Sequence, residues 1–212
     1  MKKNNTRTFL ISIVFIFISL ISCEDEKSEN CVNEIIDSKE NVLISQDEVE
    51  TINALNRSPY DIQNNIQIYN IIDNSDNGLR VQCYQFSNDL KVFSNPIDYI
   101  YESGVFHHFL GDTIENSIEL NTISDFNPNQ IVDIYKNHID KDSYISDDTR
   151  ASALKNCIDC EFGYWDLNIS SGINEMDFVK AWKVNPTDKK YPYAIIGDSE
   201  GDIIYYDNGI RY

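Results

Sequence analysis

Cysteine and histidine are the residue types in this chain that could carry redox or metal chemistry. Cys157 and Cys160 are separated by two residues, the spacing of a redox dithiol and of half a zinc site. A zinc site needs further ligands, but His107, His108 and His138 lie in unrelated segments. A thioredoxin-like motif opens a helix after a strand, whereas this pair precedes a strand-like run. We therefore expect no metal site, no redox activity and no cofactor.

The other features that could support catalysis are also weak. His107 and His108 are adjacent in a strand-like run, which predicts that their rings point to opposite faces. His138 falls at the end of a predicted helix. The chain contains no H-E-x-x-H pattern and no glycine-rich phosphate loop. Carboxylates are abundant, but in a chain this acidic a pair of them is typical of a solvated surface. The sequence predicts that the protein is not an enzyme.

The start of the chain has the pattern of an export signal. Three basic residues, Lys2, Lys3 and Arg7, precede an apolar run from Phe9 to Ile21, which is too short to span a bilayer of about 30 Å. Leu20 to Cys23 resemble the lipobox of bacterial lipoproteins. The resemblance implies that residues 1–22 are removed and that the Cys23 thiol is diacylated, with palmitate-like chains inserted in the lipid bilayer.

With Cys23 assigned to lipid, an even number of cysteines remains. An even number in an exported chain favours structural disulfides. The sequence does not fix their connectivity. The candidate disulfide cysteines are Cys31, Cys83, Cys157 and Cys160.

The net charge restricts the class of partner. The chain carries −18, and removal of the three basic residues of the signal leaves −21. Nucleic acid is excluded as an expected partner, because phosphate binding requires a basic face. Glu24, Asp25 and Glu26 follow Cys23 and resemble the acidic tag that exports some Gram-negative lipoproteins. This predicts an outer-membrane lipoprotein and leaves periplasmic and surface orientation open.

The first half of the mature chain predicts one helix followed by strands. Ser45 and Glu48 can cap a helix whose apolar face ends before Pro59. Residues 73–78 begin like a calcium-binding loop, but Tyr84 occupies the position of the required glutamate, so a hairpin turn is predicted. The predicted strand segments are 66–72, 79–83, 91–93, 97–101 and 105–110, with turns at 88–89 and 103–104.

The second half repeats this plan. Apolar spacing predicts a helix from Pro128 to Ile139. Strand segments are predicted at 161–169, 176–184, 192–196 and 203–206, with a turn from Asp198 to Asp202. The predicted fold class is α+β, with two related units that each pack a helix on an antiparallel β-meander, PepSY- or cystatin-like.

The pattern of residues resembles two known domains. Residues 181–212 resemble the end of a PepSY domain, in the positions of Trp182, Pro192, Tyr193, Asp198, Gly201 and Ile204. Trp182 is interpreted as a core anchor. Residues 79–112 resemble the fungalysin/thermolysin propeptide domain, in the positions of Gln82 or Gln85, Phe86, Asp89, Val92, Phe93, Gly104 and Gly111. The tandem is typical of secreted metallopeptidase propeptides, but no peptidase motif accompanies it here.

These features together predict the organisation and role of the protein. The predicted segments are a signal peptide at 1–22, an acidic tether at 23–44, a propeptide-like unit at 45–125 and a PepSY-like unit at 126–212. The resemblance implies a non-catalytic envelope lipoprotein that binds a protein partner and inhibits or chaperones a secreted peptidase in trans. The alternative is an envelope binding or scaffolding module of a surface uptake or assembly system, with no peptidase target.

Overall fold

The computed structural model describes residues 31–35, 66–74, 78–114, 117–169, 171, 175–187 and 189–211. Within these residues the strands are β1 (Val32–Ile35), β2 (Ile66–Asn74), β3 (Gly78–Ser87), β4 (Leu90–Glu102), β5 (Val105–Leu110), β6 (Ile158–Asp166), β7 (Phe178–Pro186), β8 (Tyr193–Gly197) and β9 (Ile203–Asp207). The helices are α1 (Pro128–Lys141) and α2 (Asp147–Lys155). Neither of these described helices has the length and apolar character needed to cross a membrane.

Strands β2 to β5 pair in chain order as an antiparallel meander. Asn88 and Asp89, between β3 and β4, have φ angles of 50° and 63°, the left-handed pair that a type I′ hairpin turn needs. Ser103 and Gly104 have φ angles of 51° and 76° between β4 and β5. Both turns were predicted and are confirmed. β4 is one strand of 13 residues, where the sequence predicted two short segments.

Helix α1 confirms the prediction from Pro128 to Ile139 and extends it to Lys141. Its start is a capping box, in which Asn127 Oδ1 accepts a hydrogen bond from the backbone nitrogen of Gln130 and Gln130 Oε1 accepts one from that of Asn127. Pro128 fits the first turn, where no intrahelical donor is lost. The residues that α1 buries are Ile131, Val132, Tyr135 and Ile139.

Strands β6 to β9 form a second antiparallel meander after the helices. The predicted turn from Asp198 to Asp202 joins β8 to β9. Asp198 is fully buried and accepts hydrogen bonds from Ser124 Oγ, the backbone nitrogen of Asp125 and Trp182 Nε1. Lys180 Nζ lies 3.1 Å from Asp198 Oδ2. This network ties the segment before α1 to β7 and to the last turn.

The two meanders belong to one mixed sheet, with the order β2-β3-β4-β6-β7-β8-β9. They join where β4 runs parallel to β6, with Lys91 opposite Gly163 and Val92 opposite Tyr164. The predicted α+β fold class, with two related helix-on-meander units, is therefore wrong. The described residues are mainly β, and both described helices belong to the second half. The helix predicted after Ser45 lies outside the described residues.

The two faces of the second meander have different environments. Ile158, Cys160 and Phe162 of β6 point to the face covered by α1, together with Trp182 and neighbouring residues of β7 and β8. Trp182 is only 2% exposed, so its interpretation as a core anchor is confirmed. Because side chains alternate along a strand, the intervening residues of β6, β7 and β8 form the opposite face of the sheet. Trp165, Ala181 and Ile195 cluster on that face.

Strand β1 joins the sheet beside β6. Val32 to Ile35 pair in parallel with Ile158 to Glu161, and Cys31 forms a disulfide with Cys157. Residues 32–35 fall within the predicted tether at 23–44, and they belong to the sheet instead, because β6 offers them an unpaired edge. The disulfide prediction is confirmed for Cys31 and Cys157.

Candidate functional site

A pocket of about 310 Å³ opens on the sheet face opposite the helices. Five strands, β3, β4, β6, β7 and β8, and the β7–β8 connection supply its walls. Five aromatic residues line it: Tyr84, Phe93, Trp165, Tyr191 and Tyr193. The remaining lining residues are Lys91, Lys183, Lys190, Asn185 and Ile195. Three of the 17 basic residues in a chain of net charge −18 therefore meet at one place.

Lys91 is a buried cation that the protein already neutralises. It is 7% exposed, and Nζ lies 3.2 Å from Oε1 of Glu161, itself 6% exposed. Nζ also lies 3.6 Å from the centre of the Tyr84 ring, a cation–π contact. Burial lowers the pKa of Lys91 below its ordinary value, and Glu161 opposes that shift. Lys91 therefore contributes mainly to the shape of the pocket.

With Lys91 paired to Glu161, the remaining positive charge of the pocket comes from Lys183 and Lys190. Glu161 stands opposite Lys183 in the β6–β7 register, but its ion pair is with Lys91. Among the described residues, no carboxylate forms an ion pair with Lys183 or Lys190. Lys190 lies over the ring of Tyr191, 5.3 Å from its centre. These two ammonium groups can pair with an anion that enters the pocket.

A row of contacting aromatic rings extends from the pocket onto β9, where Tyr205 lies outside the pocket lining. The ring centres of Tyr191 and Tyr193 are 5.9 Å apart, those of Tyr193 and Tyr205 are 5.7 Å apart, and Tyr205 lies 5.5 Å from Trp165. Neighbouring rings are tilted by 32° to 39°. On the other side Tyr84 stacks on Tyr69 at 4.0 Å. Rigid rings with polar tips are suited to bind ligands that are apolar on one side and polar on another.

Two of the four candidate disulfide cysteines, Cys31 and Cys157, form a disulfide. Cys83 and Cys160, also predicted as disulfide cysteines, are free and fully buried, so that prediction is wrong for them. They lie in different parts of the core, beside Val81 and beside Ile158. Burial raises the pKa of both thiols to about 12, which leaves them protonated and unreactive. Cys23 lies outside the described residues.

The histidine pair differs from its predicted arrangement. Nδ1 of His107 lies 2.6 Å from Nδ1 of His108, so the two rings meet instead of pointing to opposite faces. The cause is a β-bulge, because Ile100 pairs with His108 and Tyr101 pairs with Phe106, which leaves His107 as the extra residue. His138 packs against Tyr206 with ring centres 4.5 Å apart. No group of three or more metal-ligating side chains occurs in the described part of the chain.

Gly197 to Gly201 read G-x-S-x-G, the spacing of a serine nucleophile elbow. An elbow connects a strand to a helix, whereas this segment connects two antiparallel strands, β8 and β9. Ser199 is exposed, and no hydrogen bond to a histidine is found for it among the described residues. Asp198, beside it, is engaged in the buried network. The local structure is that of a structural turn.

The pocket could not be found from the sequence. Its lysines and aromatics lie in strands that are far apart in the chain, and the β4–β6 pairing that joins them was not predicted. The only available signal is the alternation of Lys91 with Phe93 in β4 and of Tyr191 with Tyr193 at the start of β8. Comparison with models of known protein families and with curated proteins finds no match for this chain.

Proposed function

We propose that this protein is a non-catalytic binding protein of the cell envelope, held at a membrane through acylated Cys23. Its binding site is the pocket between the two meanders. The observation that carries the proposal is the presence among aromatic side chains of Lys183 and Lys190, two cations that form no ion pair with a described carboxylate. A pocket of this composition binds a ligand with an anionic group and an apolar face.

The chemistry of the pocket supports binding over catalysis. Catalysis by proton transfer or covalent attack needs a nucleophile and a base within hydrogen-bond reach. The cations of the pocket are lysines, Lys91 is tied to Glu161, and burial raises the pKa of Tyr84 to about 12. These groups supply fixed charge, hydrogen bonds and ring surfaces.

The proposal is tested by ligand retention. The full-length lipoprotein, purified in detergent, is incubated with an extract of small envelope molecules, washed, and analysed for bound compounds by mass spectrometry. Wild type should retain anionic compounds that the Lys183→Gln/Lys190→Gln variant loses. Lys155→Gln, a change of the same kind at the exposed end of α2, should behave as wild type. Equal retention by all three proteins would rule out the pocket as the binding site.

A second candidate is inhibition or chaperoning of a secreted peptidase in trans. The observation that favours it is β5, an exposed strand that pairs with β4 alone among the described strands. Its free edge could add an extended peptide strand, a common mode of peptide recognition. The full-length lipoprotein should then slow secreted metallopeptidases from the same cell. Absence of an effect on every such peptidase would reject this candidate.

A further inference from the structure

The size of the pocket limits the ligand. A volume of about 310 Å³ is at the lower end of the range of about 300 to 1,000 Å³ that small-molecule sites occupy. The pocket is therefore suited to one or two ring-sized groups. It is too small to hold a folded partner, although such a partner could present a ring-sized group to it.

The charge distribution limits the ligand further. The whole chain carries −18, so a long polyanion is repelled by most of its surface. At physiological salt this field is screened over about 8 Å, and the described lining of the pocket contains lysines but no carboxylate. A short ligand with one or two negative charges benefits from these lysines without approaching the acidic surface.

The geometry of the rings indicates which kind of ring binds. Tyr191 and Tyr193 lie side by side with a tilt of 39°, so they form a curved wall. A planar base is best held between parallel rings, whereas a puckered saccharide ring can place its C–H face on a curved wall, against the negative faces of the aromatic rings. Asn185 offers an amide donor and acceptor to the hydroxyl groups at the edge of such a ring.

We infer that the pocket binds a short saccharide that carries a carboxylate. The saccharide ring lies on the wall formed by Tyr191 and Tyr193, and the carboxylate pairs with Lys183 and Lys190. This inference rests on the proposed function, because it names the ligand class of the same pocket. It makes the protein a receptor for short acidic glycans at the membrane that carries it.

The test uses defined probes on the full-length lipoprotein in detergent. Binding of methyl glucuronide is measured by calorimetry and by the fluorescence of Trp165, with the neutral methyl glucoside as its matched control. Methyl glucuronide should bind at least about tenfold more tightly, a difference of about 1.4 kcal/mol, because its carboxylate forms charge-assisted hydrogen bonds with the lysines. The affinity for methyl glucuronide should fall as salt is raised, and that for methyl glucoside should not.

Variants separate the two halves of the site. Lys183→Gln/Lys190→Gln should bind methyl glucuronide only as well as methyl glucoside, and Lys155→Gln should match wild type. Tyr193→Leu should weaken both saccharides, whereas Tyr144→Leu, at an exposed residue, should weaken neither. The Trp165→Phe variant should lose the fluorescence change, because the other tryptophan, Trp182, is buried on the helix face.

Two further probes separate failure of the ligand class from failure of the proposed function. If inorganic phosphate or adenosine monophosphate binds more tightly than methyl glucuronide and depends on Lys183, the saccharide assignment is wrong but the anion site stands. Equal binding of the charged and neutral saccharides would also overturn the inference. If no probe binds and the Lys183→Gln/Lys190→Gln variant retains all the envelope compounds that wild type retains, both proposals fail.

Discussion

Asp198 is the clearest example of a buried charge that the fold fully satisfies. Burial acts to raise the pKa of Asp198, but the hydrogen bonds from Ser124, Asp125 and Trp182, together with Lys180, outweigh it and hold that pKa below the ordinary value of 3.8. The carboxylate connects three segments that are distant in the chain. Its charge therefore stabilises the folded state only while it is ionised.

Asp198→Asn should lower the free energy of unfolding by about 3 kcal/mol at pH 7, because an amide places N–H groups against existing donors and leaves Lys180 without its buried partner. The measurement is urea denaturation followed by circular dichroism. The matched control is Asp125→Asn, which removes the exposed carboxylate paired with Lys180 and should cost less than about 1 kcal/mol.

The pH dependence of the free energy of unfolding, measured for wild type and Asp198→Asn, gives a second test. Because the folded pKa of Asp198 is lowered, its contribution is complete well above pH 3.8 and is lost as the pH falls through that folded pKa. The stability difference between wild type and Asp198→Asn should therefore shrink in acid. A stability difference that stays constant down to pH 2 would contradict a stabilising role for the ionised Asp198 carboxylate.

At the scale of elements, the locally encoded parts were predictable. Pro128 and the apolar spacing after it define α1, and Asn88-Asp89 defines a hairpin turn, because each signal acts over a few residues. The bulge at His107 was not predictable, since it depends on pairing with β4. The parallel β4–β6 contact brings together Lys91 and Gly163, 72 positions apart. No local pattern encodes that register, so the single sheet and its pocket were missed.

The β4–β6 junction depends on the absence of a side chain at Gly163. A Cβ atom there would lie 2.3 Å from the backbone oxygen of Lys91 and 2.8 Å from the Phe93 ring. Gly163→Ala should therefore force the strands apart and lower the free energy of unfolding by about 1 to 3 kcal/mol. It should also weaken ligand binding, because Lys91 and Phe93 line the pocket.

Gly197→Ala is the matched control for this prediction. A Cβ at Gly197 would lie 2.4 Å from Oδ1 of Asp202, an exposed side chain that can rotate away. Urea denaturation should show a smaller loss than for Gly163→Ala, and ligand affinity should not change. Equal losses in the two variants would indicate that the junction has no special packing requirement.

At the scale of the whole molecule, the disulfide connects the first described residue, Cys31, to the start of β6. Cys31 and Cys157 are separated by 126 positions, so the bond greatly restricts the unfolded chain. Cys31→Ser/Cys157→Ser should lower the free energy of unfolding by about 4 to 5 kcal/mol. Reductant should destabilise wild type by a similar amount and leave the double variant unchanged. A double variant as stable as oxidised wild type would contradict this account.

The proposed acylation of Cys23 would restrict how far the sheet can lie from the membrane. Cys31 is fixed to the sheet by its disulfide and by β1. Because Cys31 follows Cys23 by eight residues, an extended chain can place it at most about 28 Å from Cys23. Under the proposal, the protein would then meet its ligands near the membrane surface. In the proposed mature form the strongly acidic chain would be repelled by anionic head groups, so anchoring would rely on the acyl chains, each buried CH₂ contributing about 0.8 kcal/mol.

Cys23→Ala should abolish this anchoring. In cells fed an alkyne-tagged palmitate analogue, wild type should become labelled, enter the detergent phase and lose residues 1–22, as shown by mass spectrometry of its first peptide. Cys23→Ala should remain unlabelled and keep those residues, because the thiol is the acyl acceptor. Cys83→Ala, which removes a buried free thiol, should be labelled like wild type. Persistent labelling of Cys23→Ala would place the lipid elsewhere and remove the membrane constraint on the pocket.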